Sequence, residues 1–250
     1  MSQSYIIKSV IKEICSLPGF RSFKVLDLSC GEGEIIEELA SKGCEVEGTH
    51  YKDDDYVLKN PGKILKEANI HKNIHLDKTL PLDDRSYDLV IATEVLEHLP
   101  SHFRIIPEVG RILKSNGYFV FTTPNIHRLH SRLKFLLTGT HKLIRRRIGW
   151  DLTYDDLYAY HINPVDVPVI HTLLSLSNMK IEKISFTYFK LKHSYLLLLY
   201  PIVLLYTFLE TRGDKKANST FRKGEKDLFR WLVHPALLSS EQLLVVAKKY

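Results

Sequence analysis

A chain of 250 residues, 44% of them hydrophobic, is long enough to bury a full core as one domain. Its 35 basic and 29 acidic residues leave a formal charge of +6, an excess that suits nucleic acid, anionic lipid, acidic glycans or plain solubility. The three cysteines (Cys15, Cys30, Cys44) are far apart and form no C-x-x-C pair, which argues against a disulfide frame or a cysteine-based zinc site.

The first residues, MSQSYIIKSVIKEI, lack the basic-then-apolar order of a signal peptide. They read as an amphipathic helix with Ile6, Ile7, Val10, Ile11 and Ile14 on one face, and a cytoplasmic location is expected. From Val25 to about Asn125, short β-rich runs alternate with helical segments, the pattern of a parallel sheet with covering helices. Strands are expected at KVLDL (24–28), CEVEG (44–48), IHL (74–76), YDLVIAT (87–93) and GYFVFTT (117–123). EIIEELASKG, from Glu34, carries apolar residues at helical spacing and ends at Gly43, a natural C-terminal cap. Ile105 to Leu113 is a second amphipathic helix, and KSNG (114–117) reads as a turn.

After TPN (123–125) the chain becomes basic and helical, IHRLHSRLKFLLTGTHKLIRRRIGW, then reaches HINP (161–164) through a loop rich in Tyr and Asp. VDVPVIHTLLSLSN is an expected helix; MKIEKISFTYF and EQLLVVAKK are expected strands. Between those strands lies SYLLLLYPIVLLYTFL (194–209), shorter than the roughly 20 residues a membrane-crossing helix needs and broken by Pro201. It packs on the domain, covers the site, or lies in a membrane interface with its tyrosines and nearby lysines. The expected division is a single domain over 1–250: a cofactor half at 20–125, acceptor-side helices and loop at 126–178, the apolar and basic insertion at 190–235, and a final strand at 241–249.

The stretch VLDLSCGEGEII (25–36) runs from strand to helix through a turn holding Gly31 and Gly33. Such a turn offers backbone N–H groups beside a helix N-terminus. Dinucleotide sites need a third glycine for close packing around a pyrophosphate, and Ile36 stands there instead. A ligand with an amino-acid end fits better, with Asp27 at the strand tip placed to orient the loop and meet an ammonium group.

VLDLSCGEG resembles the first motif of class I S-adenosylmethionine-dependent methyltransferases, V-L-D-L-G-C-G-x-G. LPLDDRSYDLVIATEVLEHL (80–99) is similar to that family's fourth-strand segment, and EVGRILKSNGYFVFTTPN (108–125) to its next helix, turn and fifth strand. The HINP segment is similar to the C-terminal part of bacterial members, including ubiquinone-pathway and surface-glycan methyltransferases.

The resemblance implies a Rossmann-like α/β fold, doubly wound, with a mostly parallel seven-stranded sheet whose last strand is antiparallel. It implies S-adenosylmethionine as cofactor, held by Asp27, Ser29, Gly31, Gly33, His50, Leu76, Asp77, Thr93 and Glu94. Three positions depart from the pattern. Ser29 replaces a glycine, the mildest change because it is small. His50 stands where the second strand usually ends in a ribose-binding acid. Counting back from Pro81 to the family's Asp-Leu pair reaches His75 and Leu76, with Asp77 the nearest carboxylate.

A hydroxyl acceptor must lose a proton, a task for a histidine or carboxylate. His161, at the family's H-x-x-P position, is the expected base, and His127 lies on the acceptor side. Glu97 and His98 read as packing and capping residues, and no metal constellation is expected. The acceptor implied is a small molecule or a glycan- or lipid-linked compound. Two other readings stay open: a non-catalytic binding protein of the same fold, and an RNA methyltransferase, although no RNA-binding module is visible.

Overall fold

A computed structural model describes residues 2–51, 69–141, 160–188, 191–211 and 219–250. Asp53, Asp54, Asp55, Arg145, Arg146, Arg147, Asp155 and Asp156 lie outside the described residues.

Seven strands form one sheet: β1 (Lys24–Asp27), β2 (Glu45–Thr49), β3 (Asn69–His71), β4 (Tyr87–Thr93), β5 (Leu113–Pro124), β6 (Met179–Phe186) and β7 (Gln242–Lys249). Their order is β3-β2-β1-β4-β5-β7-β6. The first five pair in parallel, and β7 runs antiparallel to both of its neighbours, so the sheet has the mostly parallel, last-strand-reversed form expected. Chain order reverses between β1 and β4, one leading leftward to β2 and the other rightward to β5. Open α/β sheets leave a ligand crevice at such a point, beyond the carboxyl ends of the strands.

Both faces of the sheet are covered, so its strands read as continuous apolar runs rather than alternating ones. Helix α1 (Ser2–Cys15) and α2 (Glu34–Ser41) cover one face; α3 (His102–Ile112) and α5 (Val167–Leu176) cover the other. Odd and even positions of each strand divide between the two cores. Val25, Leu89, Ile91 and Val120 join Ile6, Val10, Ile11 and Ile14 of α1 and Ile35, Ile36 and Leu39 of α2. Leu26, Val90, Phe119 and Phe121 meet Ile105, Val109, Ile170 and Leu174 instead. On α3, Glu108 and Arg111 also fasten the LPLDD segment: Glu108 accepts from the Leu80 amide, and Arg111 donates to the Leu80 and Leu82 carbonyls.

Two strand expectations need correction. The third strand is Asn69–His71, not 74–76. Asn73, at φ 57°, turns the chain in a left-handed step, and Ile74 and Leu76 are buried as loop residues pressed into the core. They look like a strand because a buried loop needs the same side chains. The fifth strand starts at Leu113, so KSNG lies within it. Asn116, at φ 66°, gives that stretch its turn-like composition, and the pairing with β4 shifts register there.

The remainder of the chain adds α4 (Leu129–Thr138), a 3-10 segment at Leu191–Leu199, α6 (Tyr200–Thr211), α7 (Ser219–Leu232) and α8 (Pro235–Ser239). Leu129 of α4, Leu196 and Leu238 of α8 form a third, small core. Asn125 ties the end of β5 to this region by donating to the Leu237 and Ser240 carbonyls at 2.7 and 2.9 Å.

Gly48 on β2 is the tightest approach near the ligand edge. A Cβ there would lie 2.7 Å from Ile36 Cδ1 and 2.9 Å from Cys30 Sγ. Gly48→Ala is therefore expected to cost about 1–3 kcal/mol through overpacking. Urea unfolding measures it, and an unchanged midpoint would contradict so close a contact.

Candidate active site

The turn after β1 is held from the side by β2. The Ser29 amide donates to Thr49 Oγ1 at 2.9 Å, and the Cys30 amide to the Thr49 carbonyl at 3.1 Å. Three residues of the turn are left-handed: Ser29 at φ 59°, Gly31 at 55° and Gly33 at 81°. Ser29 is thus not the harmless replacement its size suggests, since a Cβ in this region carries strain. Gly33 caps α2 directly, and nothing lies within 4 Å of where a Gly31 Cβ would sit, which leaves that stretch of turn open.

At the switch point a cleft of about 400 Å³ opens. Ser29, Thr49 and Tyr51 line one wall; Ile74, His75 and Leu76 another; Thr93, Glu94, Val95, His98 and Leu99 the third. Of the nine residues expected to hold the cofactor, Ser29, Leu76, Thr93 and Glu94 stand on this cleft. Asp27 is buried at the strand end, with 2% of its surface exposed, and Gly31 and Gly33 shape the turn. His50 is buried behind the wall: its amide donates to the His71 carbonyl, its carbonyl accepts from Ile74, and its ring stacks on Tyr51. The residues on either side of it, Thr49 and Tyr51, line the cleft. Asp77 lies beside Leu76 off the wall, with Oδ1 buried and no hydrogen-bond partner among the described residues.

Glu94 is the second strained residue of the site, at φ 53°. Its amide is held by Thr122, bonding the hydroxyl and the carbonyl at 3.1 Å each. That conformation turns the chain off β4 into the cleft wall. Burial pushes the Glu94 acid up to about 7, opposed by a hydrogen bond with Thr122. Its neighbour Glu97 is 1% exposed and is also held well above the usual carboxylate range, by burial and then by the charge of Glu94.

His161 and His127 part company. The 3-10 turn Leu96–His98 is strapped to the HINP loop: Asn163 donates its amide to the Glu97 carbonyl and its side chain to the Leu99 carbonyl, both at 3.1 Å. His98 Nδ1 bonds the Tyr160 carbonyl at 3.0 Å, and the His98 and His161 rings meet edge to face at 4.9 Å. His161 therefore sits one ring behind the cleft wall. His127 Nε2 accepts from the Val167 amide at 3.0 Å, capping the start of α5, and it is not among the cleft residues.

Contrary to the expectation of no metal constellation, Glu97, His98 and His161 place one ligand atom each within 4.8 Å of one another. Thr49, Tyr51, Val95, His98 and Leu99 were also missed as cleft residues. Their signal is positional, since each follows or ends a strand at the sheet's carboxyl edge.

The strand order and the glycine turn agree with the resemblance to the class I S-adenosylmethionine-dependent methyltransferases. The methyltransferase domain family model matches residues 3–183, and the chain belongs to that family. It is similar to the ubiquinone biosynthesis O-methyltransferase of Pasteurella multocida, 27% identical over 181 residues, covering 59% of this chain and 72% of that protein. The protein of the same name from Nitrosomonas europaea is 30% identical over 117 residues, covering 43% and 46%. The matches thus span from about half to under three quarters of these relatives' length. Among solved structures, a SAM dependent methyltransferase from Archaeoglobus fulgidus shares the fold at TM-score 0.58 and 19% identity, covering 99% of this chain and 95% of that chain. Phosphoethanolamine N-methyltransferase 2 of Haemonchus contortus, in complex with S-adenosyl-L-methionine, gives 0.53 and 14%, covering 97% and 52%.

The chain is an S-adenosylmethionine-dependent methyltransferase. The cleft fits that cofactor: it is open at Gly31, and the buried Thr93 Oγ1 and Glu94 Oε1 meet no hydrogen-bond partner among the described residues. Ser29, Thr49, Tyr51, Leu76, Thr93 and Glu94 would hold the cofactor, which supplies an electrophilic methyl group on a sulfonium.

Burial pushes Asp27 from an ordinary 3.8 up to about 8, so between those values it is protonated in the folded protein and ionised in the unfolded chain. The stability of the ligand-free protein then falls as pH rises through that window, by at most about 1.4 kcal/mol per unit. Asp27→Asn should have a higher urea midpoint than the parent at pH 8, with the gap narrowing steadily as pH falls toward about 4; a gap independent of pH would refute the shift. Ser29→Gly should relieve roughly 1 kcal/mol of strain and raise the melting temperature by about 2–4 °C. A lower melting temperature would show that the serine side chain contributes more than its backbone costs.

Proposed function

We propose that the chain methylates an oxygen of a small or glycan- or lipid-linked acceptor. The observation that carries this is the polar corner at the third wall of the cleft, where the wall residue His98, next to Glu94 in that wall, is backed by Glu97 and His161. Methyl transfer from a sulfonium is chiefly a matter of alignment, but a hydroxyl must also give up its proton. A carbonyl oxygen only accepts, so the His98–Tyr160 bond places the His98 proton on Nδ1 and the lone pair on Nε2. His98 on the wall and His161 behind it are thus the groups that receive the acceptor's proton. The names of the relatives, O-methyltransferases of ubiquinone biosynthesis, support an oxygen acceptor.

A second observation bears on where the acceptor comes from. Leu198, Tyr206 and Leu209 are 81%, 70% and 56% exposed, and Leu136 and Leu137 at the end of α4 are 80% and 74% exposed. Helices α4 and α6 both pack against the 191–199 segment, so the elements that carry these side chains are neighbours. No described helix is long and apolar enough to cross a membrane. We infer that this surface rests in a lipid interface and brings a lipid-linked acceptor to the cleft.

The test of the acceptor class is a panel of phenols, sugars and amines, with S-adenosylhomocysteine release as the readout. Hydroxyl compounds should turn over, and His161→Ala should lower kcat about 100-fold or more with KM little changed. Turnover confined to amines would reject the oxygen reading, and an unchanged kcat would reject the role of His161. In vesicle flotation the parent should rise with anionic lipid and Leu198→Asp/Leu209→Asp should not; no flotation of the parent would remove the interfacial reading.

A further inference from the structure

We propose that Arg128 and Arg132, at the start of α4, form a receptor for a carboxylate or phosphate group carried by the methyl acceptor. Both belong to IHRLHSRL, the stretch that leaves β5. That strand also holds the third wall of the cleft: the Glu94 amide donates to Thr122 Oγ1, and Thr123 Oγ1 donates to Glu97. The start of α4 thus follows directly from the strand behind that wall. His127 joins it to α5, its Nε2 accepting from the Val167 amide.

Arg128 is 2% exposed, and its Nε, Nη1 and Nη2 are all buried with no hydrogen-bond partner among the described residues. An ion pair from Nη1 to Glu241 Oε1 balances its charge but leaves its donors unbonded. A guanidinium carries five N–H donors, and burying them in that state is costly. An anion with two oxygens satisfies two of them at once.

Arg132 stands one turn on, its amide bonded to the Arg128 carbonyl at 3.0 Å. It is half-buried and takes part in no ion pair among the described residues. Its Nε donates to the His127 carbonyl at 2.6 Å, which folds the side chain back toward the start of the helix. Burial pulls the Arg132 guanidinium down from its ordinary value, and no carboxylate acts to restore it. Glu241 is engaged by Arg128, and Asp166 Oδ1 lies 3.4 Å from His127 Nε2. The two arginines therefore hold one positive charge more than Glu241 balances. Helix α4 adds to that excess, because no side chain caps its N-terminus and its first turn has no acid.

The fork of an arginine matches the paired oxygens of a carboxylate or phosphate, which fixes the class of ligand. Held there by its anionic group, an acceptor is anchored at a point apart from its reacting atom, so the contact acts on binding rather than on chemistry. This names the charge of the small or linked acceptor proposed above, and rests on that reading for the kind of acceptor but not for the atom methylated. Turnover confined to amines would reject the oxygen reading and leave the receptor intact. Absent anion binding would remove the receptor and leave the oxygen reading where it stood.

The experiment is a calorimetric titration of the full chain with sodium phosphate and with sodium benzoate. At least one of these anions should saturate at one per chain, and Arg128→Gln and Arg132→Gln should each weaken it about tenfold or more. Arg104→Gln, at an exposed arginine of α3, should leave it unchanged. Circular dichroism checks each fold; Arg132→Gln, which breaks no ion pair, keeps the test open if Arg128→Gln strands Glu241 and unfolds. In turnover of a phenol and its carboxylated or phosphorylated counterpart, Arg132→Gln should raise KM for the charged compound about tenfold, with kcat little changed and the neutral compound unaffected. No saturable anion binding would overturn the proposal, as would equal binding by the parent and Arg132→Gln. A KM raised equally for both compounds would mark Arg132 as structural and overturn it too. Loss of vesicle flotation in Arg132→Gln without any effect on the free anions would assign the arginines to a lipid headgroup instead, and the acceptor receptor would fall.

Discussion

The site depends on Thr49 holding the turn after β1. Its hydroxyl takes the Ser29 amide and its carbonyl the Cys30 amide, so one residue of β2 satisfies two successive donors of a loop that has left its own strand. That geometry requires the turn to lie flat against β2, and Gly48 permits it by presenting no side chain to Ile36 and Cys30. The cofactor cradle is therefore not a property of the glycine turn alone. It is a joint product of the turn, the strand beside it and the helix that follows.

The wider fold explains why the cradle opens where it does. With both faces of the sheet buried under helices, the strand ends are where polar backbone and a ligand can meet without breaking a core. Parallel strands bring Asp27, Thr49 and Thr93 to the same edge, and the reversal between β1 and β4 parts the following loops. β7 then runs back between β5 and β6, and Asn125, just after β5, is tied to Leu237 and Ser240 just ahead of β7.

Much of this was legible in the sequence because burial and period reported the same thing. VLDL, YDLVIAT and EQLLVVAKK are apolar on both faces and became central strands; EIIEELAS is apolar on one face and became a helix. The failures are instructive. IHL (74–76) is as apolar as a strand, but Asn73 had already turned the chain, and composition cannot tell a buried loop from a short edge strand. His50 sits where a ribose partner is expected, yet strand alternation and the following turn bury it and leave Thr49 and Tyr51 on the cleft. The grouping of Glu97 and His98 with His161 was out of reach for a different reason. It is made by a loop more than sixty residues further on, and no local period encodes that approach.

Strain and buried charge are concentrated along the same edge. Ser29 and Glu94 are left-handed without being glycine, and the Asp27, Glu94 and Glu97 carboxyls are all held above their ordinary range by burial. Each is unfavourable in the ligand-free protein, and each lies on or beneath the cleft. Such features persist only where the surrounding structure imposes them, here the Thr49 and Thr122 hydrogen bonds and the two packed cores. Ser29 and Glu94 line the cleft itself, so the backbone strain is stored at the edge where a ligand would meet it, while Asp27 and Glu97 lie buried behind that edge.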